Sequence, residues 1–124
     1  MAGRVVHFEI PFDDRARAGR FYREAFEWTF QDIEELDYVL ATTGPSDQGP
    51  PGEPGFINGG MMARGGPLRS PVVTIDVADI EATLRTVERL GGARLTDRQA
   101  VGEMGFAAYF TDSEGNVMGL WQNA

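Results

Sequence analysis

The sequence predicts an α+β fold in which two βαβββ modules form a curved mixed sheet around a trough, with the helices on the outer face. Two observations support this prediction. The order strand, helix, three strands occurs twice in 124 residues, and a linker rich in glycine and proline, residues 64–71, separates the two occurrences. Each sheet would place its apolar face against its own helix, which leaves the other face to line the trough. We expect one domain, residues 1–124.

The first module, about residues 1–64, is predicted to begin with a strand that has one apolar and one polar face. Alternation over residues 5–12 places Ile10 on the helix side and both His7 and Glu9 on the trough side. Asp13 or Asp14 is the expected N-cap of the helix that follows. The later elements are that helix, two strands, a polar loop and a fourth strand, over residues 15–26, 28–32, 38–42, 43–55 and 56–62.

The second module, about residues 71–124, repeats this order. Asp79 is the expected N-cap of its helix, and Gly91 is expected to end that helix in a left-handed conformation. A shift of about 60 residues aligns Gly59 with Gly119. Few other residues are identical between the two modules, so the repeat is indicated by the order of the elements more than by sequence identity. The strands are predicted over residues 72–77, 93–101, 106–111 and 117–122.

Composition and charge exclude several classes of protein. The net charge is −8 and all 11 basic residues are arginine, so neither nucleic acid nor an anionic membrane surface is an expected partner. There is no cysteine, which excludes disulfide scaffolds, iron–sulfur sites and thiol nucleophiles, and His7 is the only histidine. No apolar run could span a membrane, and the N-terminus leads directly into a strand, so we expect no signal peptide and a cytoplasmic protein.

Three segments carry a resemblance to the vicinal oxygen chelate superfamily, which includes glyoxalase I, bleomycin-resistance proteins, fosfomycin-resistance enzymes and extradiol dioxygenases. They are HFEIPFDDRARAGRFYREAFEW, INGGMM and FTDSEGNVMGLWQ. The stretches INGG and LWQ are most similar to a glyoxalase-like subgroup of unknown substrate. The resemblance implies a homodimer that handles a small organic molecule.

The metal-ligand positions of the family would fall on His7, Gly59, Val72 and Gly119 in this sequence. Only His7 has a side chain that can bind a metal ion, so three of the four positions are vacant. We therefore predict no cofactor. A divalent metal would need a site away from the family positions, such as one formed by His7, Glu9 and Asp76.

The trough-facing residues leave more than one function open. His7 and Glu9 lie about 7 Å apart on one strand face, and a neighbouring carboxylate raises the pKa of a histidine, so the pair could serve as a catalytic acid–base pair. In a binding protein the same pair would be a hydrogen-bonded histidine and an ion-paired carboxylate. The predicted ligand-binding residues are His7, Glu9, Gly59, Met61, Thr74, Asp76, Tyr109 and Trp121.

Two main functional hypotheses follow. The first is metal-free binding or sequestration of a small aromatic or antibiotic-like molecule, because an aromatic and methionine-lined trough suits a flat apolar ligand. The alternative is a glyoxalase-type lyase or isomerase that uses His7 and Glu9 with an atypical divalent metal or with none. A weaker third hypothesis is a degenerate domain that binds another protein. The sequence does not decide whether the protein is an enzyme.

Overall fold

The computed structural model describes residues 3–46 and 50–124, which contain nine strands and two α-helices in the predicted α+β order. The chain divides into two compact units, here called the first unit, His7–Pro71, and the second unit, Val72–Ala124 together with the described residues before His7. The first strand, β1 (Arg4–Phe12), therefore contributes to both units. No helix in the described ranges is long and apolar enough to cross a membrane.

The first unit contains most of β1 and the next four regular elements, and its strand order is β2-β3-β4-β1. Strand β4 runs parallel to β1, and the other neighbours are antiparallel. The side chain of Asp14 accepts a hydrogen bond from the backbone N–H of Arg17 and so caps α1, as the sequence predicts. The elements are β1 (Arg4–Phe12), α1 (Arg15–Phe26), β2 (Thr29–Ile33), β3 (Tyr38–Thr42) and β4 (Gly59–Ala63).

Strand β4 begins three residues later than the sequence predicts. The side chain of Asn58 accepts a hydrogen bond from the backbone N–H of Thr43, and Thr43 Oγ1 donates to the carbonyl of Ile57. These side-chain bonds replace ladder hydrogen bonds just before Gly59, so the chain is held there without strand pairing. Residues 47–49 of the predicted loop over 43–55 lie outside the described part of the chain.

The second unit repeats the arrangement with the strand order β5-β9-β8-β6, and β7 also pairs with β8. Strand β9 runs parallel to β5 and antiparallel to β8. Asp79 caps α2 and Gly91 has a φ of 101°, so both helix ends match the prediction. The elements are β5 (Val72–Asp76), α2 (Ile80–Arg89), β6 (Ala93–Arg94), β7 (Gln99–Val101), β8 (Gly105–Thr111) and β9 (Val117–Asn123).

The single strand predicted over residues 93–101 is wrong, because the segment forms two short strands. The backbone N–H groups of Leu95 and Thr96 both donate to the carbonyl of Tyr109. Two residues therefore share one partner position, as in a β-bulge, and the ladder is interrupted there. Pairing with β8 resumes at Gln99.

Each unit has its own hydrophobic core between its sheet and its helix. In the second unit α2 contributes Ile80 and Leu84, both with 0% exposure, against Leu120 and its neighbours. In the first unit Phe12, Val39 and Met61 form the buried cluster, while no residue of α1 is fully buried. The opposite face of each sheet is called here the helix-free face of that unit.

Candidate functional site

The helix-free face of the first unit holds a chain of three hydrogen-bonded side chains. His7 and Glu9 lie two residues apart on β1, and Tyr38 lies at the start of β3. The Tyr38 hydroxyl donates to Glu9 Oε2 at 2.7 Å and lies 2.8 Å from His7 Nε2. Glu9 is 7% exposed, so a buried carboxylate is held by a hydrogen bond instead of by water.

Gly60 allows this chain to form, because β4 lies between β1 and β3 in the sheet. Its backbone is paired with Glu9 on one side and Leu40 on the other. A Cβ at position 60 would lie 2.0 Å from the Tyr38 hydroxyl oxygen, which is far inside van der Waals contact. The Tyr38 ring therefore crosses β4 over a glycine and reaches the strand beyond it.

Burial lowers the pKa of His7 below its ordinary value, and the charge of Glu9 offsets only part of this effect. The sequence predicts that Glu9 raises this pKa, and the carboxylate does have that effect, but the net shift is downward. The carboxylate acts in the expected sense, but desolvation of the imidazole is the larger effect. Near neutral pH the imidazole is therefore neutral.

The pairing register corrects the predicted positions of Gly59 and Met61. Met61 pairs with Ile10 and Val39 and is 2% exposed in the core beneath α1. A Cβ at Gly59 would meet the Phe8 side chain, so Gly59 belongs to the same helix-side face. Both residues therefore lie on the face opposite to the one predicted, because a register difference of one residue reverses every side chain of a strand.

Tyr38 and Gly60 are the site residues that sequence reasoning missed. Their signals were present: Val39 and Ala41 alternate as apolar residues, which places Tyr38 on the other face, and INGG contains a second glycine beside Gly59. What was lacking was the pairing of β3 with β4. Without it, no pattern within one segment could bring Tyr38 next to Glu9.

In the second unit, three of the predicted site positions are neighbours on its helix-free face. Thr74 and Tyr109 both pair with Gly119, from β5 and β8 respectively. A Cβ at Gly119 would lie 3.0 Å from Thr74 Oγ1 and 3.6 Å from Tyr109 Cε1. The small residue thus leaves these two side chains to flank a narrow gap in the sheet surface.

Asp76 and Trp121 form the next row of the same face, since they pair with each other across β5 and β9. The indole N–H of Trp121 donates to Asn123 Oδ1 at 2.9 Å, and a Cβ at Gly105 would collide with the indole ring. The polar atom of Trp121 is therefore already hydrogen-bonded within its own strand. The half-buried indole ring contributes mainly apolar surface to this face.

The donor set does not suit the metal ion that the family resemblance implies. Gly59, Gly60 and Gly119 have no side-chain donor, and Val72 has none either. Within residues 3–46 and 50–124, no three His, Asp or Glu side chains are grouped closely enough to hold a metal ion. We therefore assign no metal ligands in this chain and derive no chemistry from a bound metal.

Two shallow depressions on the described surface lie along α1 and include Phe21 and Arg17. Neither is lined by His7, Glu9 or Tyr38. Phe21 is 59% exposed, so these depressions are open surface beside a loosely buried helix. The hydrogen-bonded side chains of His7, Tyr38 and Glu9 thus lie on the face of the sheet opposite to these depressions.

Comparison with known proteins finds similar sequences. The bleomycin resistance protein-like N-terminal family matches residues 4–44, which include His7, Glu9 and Tyr38. A glyoxylase-like domain-containing protein of Didymella fabae is 29% identical over 122 residues, covering 93% of this chain and 90% of the relative.

Solved structures with the same fold cover this chain completely. A methylmalonyl-CoA epimerase in complex with methylmalonyl-CoA and NH4+ has a TM-score of 0.65 at 17% identity, with 96% of its chain covered. A hypothetical protein of Bacillus halodurans has a TM-score of 0.68 at 12% identity, again with 96% covered. The predicted resemblance is confirmed: the chain has the vicinal oxygen chelate fold, and its sequence is similar to bleomycin-resistance-like and glyoxylase-like proteins.

Proposed function

We propose that this protein binds a small organic molecule without a metal ion, on the helix-free face of the first unit. The observation that carries the proposal is the hydrogen-bonded chain of His7, Tyr38 and Glu9. A buried carboxylate costs stability unless it is well paired, and the core on the other side of the sheet does not need one. Polar groups of this kind on a half-buried face are typical of ligand recognition.

The surroundings of the chain are apolar. Leu40 pairs with Gly60, and Pro11 pairs with Met62, so these side chains alternate onto the same face as Glu9. An apolar surface with a few fixed polar groups suits a flat, mainly hydrocarbon ligand that carries one polar substituent. Sequestration of an aromatic or antibiotic-like molecule is consistent with this chemistry.

The helix-free face of the second unit is a second candidate binding surface. Its residues are Thr74, Asp76, Tyr109 and Trp121, which lie in two adjacent rows around Gly119. Trp121 and Tyr109 offer aromatic surface, and Thr74 offers a hydroxyl. Variants in this set extend the test to the second unit.

The experiment is a thermal-shift screen of aromatic and polycyclic compounds in the presence of EDTA. A ligand should raise the melting temperature of the wild-type protein and raise that of His7→Gln clearly less, because the imidazole contact is lost. Trp121→Leu tests the second surface in the same way. Stabilisation only after addition of a divalent metal, or an unchanged shift in both variants, would contradict the proposal.

The second candidate is a lyase or isomerase that transfers a proton through His7. A neutral imidazole joined through Tyr38 to a carboxylate is an arrangement that suits a general base. The likeness in fold to a methylmalonyl-CoA epimerase agrees with this alternative. Loss of a carbon-bound proton signal during incubation in D2O with 2-substituted acids and their thioesters would support it, provided that His7→Gln abolishes the exchange.

We further propose that the protein works as a homodimer in the cytoplasm. The superfamily resemblance supports the dimer, and the absence of cysteine agrees with a reducing compartment. Sedimentation of tag-free protein at several concentrations tests the assembly. A mass close to 13.6 kDa at every concentration would refute the dimer.

A further inference from the structure

The three side chains on the helix-free face of the first unit form a directional hydrogen-bond chain. Tyr38 has a single hydroxyl proton, and its oxygen lies within hydrogen-bond distance of both Glu9 Oε2 and His7 Nε2. A carboxylate can only accept hydrogen bonds, so the Tyr38 proton points to Glu9. The Tyr38 oxygen can then only accept from His7, which requires a proton on Nε2.

The other ring nitrogen of His7 is left for a ligand. Among the described residues, no group is hydrogen-bonded to His7 Nδ1, and every buried side-chain nitrogen or oxygen atom there has a partner. His7 is half-buried, and its Nδ1 atom is therefore accessible from the protein surface. In a neutral imidazole with a proton on Nε2, this nitrogen carries a lone pair and acts as a hydrogen-bond acceptor.

We propose that Tyr38 and Glu9 hold His7 in the Nε2–H tautomer, so that Nδ1 accepts a hydrogen bond from a ligand bearing an acidic hydroxyl, such as a phenol or an enol. This inference rests on the proposed binding function and names its ligand class. Tyr38 and Glu9 are positioning residues, because they act on the ligand only through the imidazole. Gly60 is needed for this arrangement as well, because the absence of a side chain there lets the Tyr38 ring cross β4.

The first test is made on the protein without ligand. Because His7 is the only histidine, ¹⁵N-labelling of histidine in tag-free protein gives the signals of one imidazole. At pH 8 the long-range ¹H–¹⁵N spectrum should show a protonated Nε2 and an unprotonated Nδ1. A dominant Nδ1–H tautomer would overturn the proposal, because it would mean that Tyr38 donates to His7.

Two variants separate positioning from a merely structural role. In Tyr38→Phe the hydroxyl is lost, so the two nitrogen shifts should move toward each other as both tautomers become populated. Tyr22→Phe is the matched control, because it removes a tyrosine hydroxyl on the helix side of the sheet, where the Tyr22 ring stacks on Trp28. It should leave the spectrum unchanged. Tyr38→Phe spectra identical to those of the wild type would overturn the assignment.

The second test compares two probes that differ only in the donor, 2-naphthol and 2-methoxynaphthalene. The naphthol should change the Nδ1 shift and bind about tenfold more tightly than its methyl ether, which is the effect of one hydrogen bond. Equal binding of the two probes would overturn the donor requirement even if the tautomer is as proposed. Binding of neither probe would count against this ligand class, while a thermal shift by other compounds would leave the proposed function standing.

Discussion

The two units share one architecture, but different side chains occupy matching positions. Glu9 pairs with Gly60 in the first unit, and Thr74 pairs with Gly119 in the second. The first glycine is crossed by a tyrosine that reaches a buried carboxylate, whereas the second leaves a gap between Thr74 and Tyr109. The same backbone arrangement therefore supports a chain of hydrogen-bonded side chains in one unit and a gap between a threonine and a tyrosine in the other.

The helices of the two units differ in how deeply their side chains are buried. Helix α2 buries two side chains completely, whereas α1 buries none and exposes Phe21 and Phe26 by 59% each. The unit with the buried polar chain thus has the more weakly buried helix. We infer that packing of α2 contributes more to the stability of the fold than packing of α1 does.

The largest expected effect of a single change is in the core of the second unit. Leu84→Ala should lower the free energy of unfolding by about 2–5 kcal/mol, because it removes a fully buried side chain and leaves a cavity. Phe21→Ala, on the exposed side of α1, should cost less than about 1 kcal/mol. Urea unfolding of both variants measures the difference, and equal losses would refute the contrast between the helices.

Gly60 and Gly119 provide the next comparison, because they pair with Glu9 and Thr74 in the two units, whereas the sequence alignment matches Gly59 with Gly119. Gly60→Ala should lower stability by about 1–3 kcal/mol and detach Tyr38 from Glu9, because the new methyl group would occupy the place of the hydroxyl. Gly119→Ala should cost less than about 1 kcal/mol, since Thr74 needs to move by only a few tenths of an ångström. Urea midpoints and the imidazole spectrum of His7 measure both effects. The reverse order of the two variants would show that Gly60 is not needed for the crossing.

Two other glycines should respond with opposite signs. At both Gly19 and Gly91 an added methyl group would have no neighbouring atom within 4 Å, but Gly91 has a φ of 101° and Gly19 lies inside α1. Gly19→Ala should stabilise the protein by about 0.5–1 kcal/mol through helix propensity. Gly91→Ala should destabilise it by about 1 kcal/mol, because a left-handed conformation is strained for alanine. Melting temperatures that move in the same direction would contradict this explanation.

The smallest effect is the pH dependence contributed by His7. Its pKa is lowered in the folded state, so the unfolded chain takes up the proton first as the pH falls below the ordinary value of 6.5. The stabilising preference of the fold for neutral imidazole is present above that pH and is lost as the pH falls through the lowered pKa. The free energy of unfolding of the wild type should therefore fall more steeply below pH 6.5 than that of His7→Gln. Parallel curves for the two proteins would refute the pKa direction.

The sequence alone determined the two helices, most of the strands and their order, because these features depend on local chemistry. Asp79 caps α2 as predicted, and the cap of α1 is Asp14, one of the two aspartates that the sequence offers for this role. The alternation in β1 correctly separates Ile10 from His7 and Glu9. These features depend on periodicity, capping and backbone preference over a few neighbouring residues. The resemblance to the vicinal oxygen chelate superfamily followed from the same local patterns taken together.

Only the tertiary structure decided which strand positions share a face with their neighbours on other strands. The pairing of Glu9 with Gly60 moved Met61 into the core and brought Tyr38, 29 residues from Glu9 in sequence, to the carboxylate. The pKa of His7 likewise depended on burial that no local pattern contains. Pairing register and desolvation arise from contacts between segments that are distant in the sequence. Patterns within one segment therefore do not predict them.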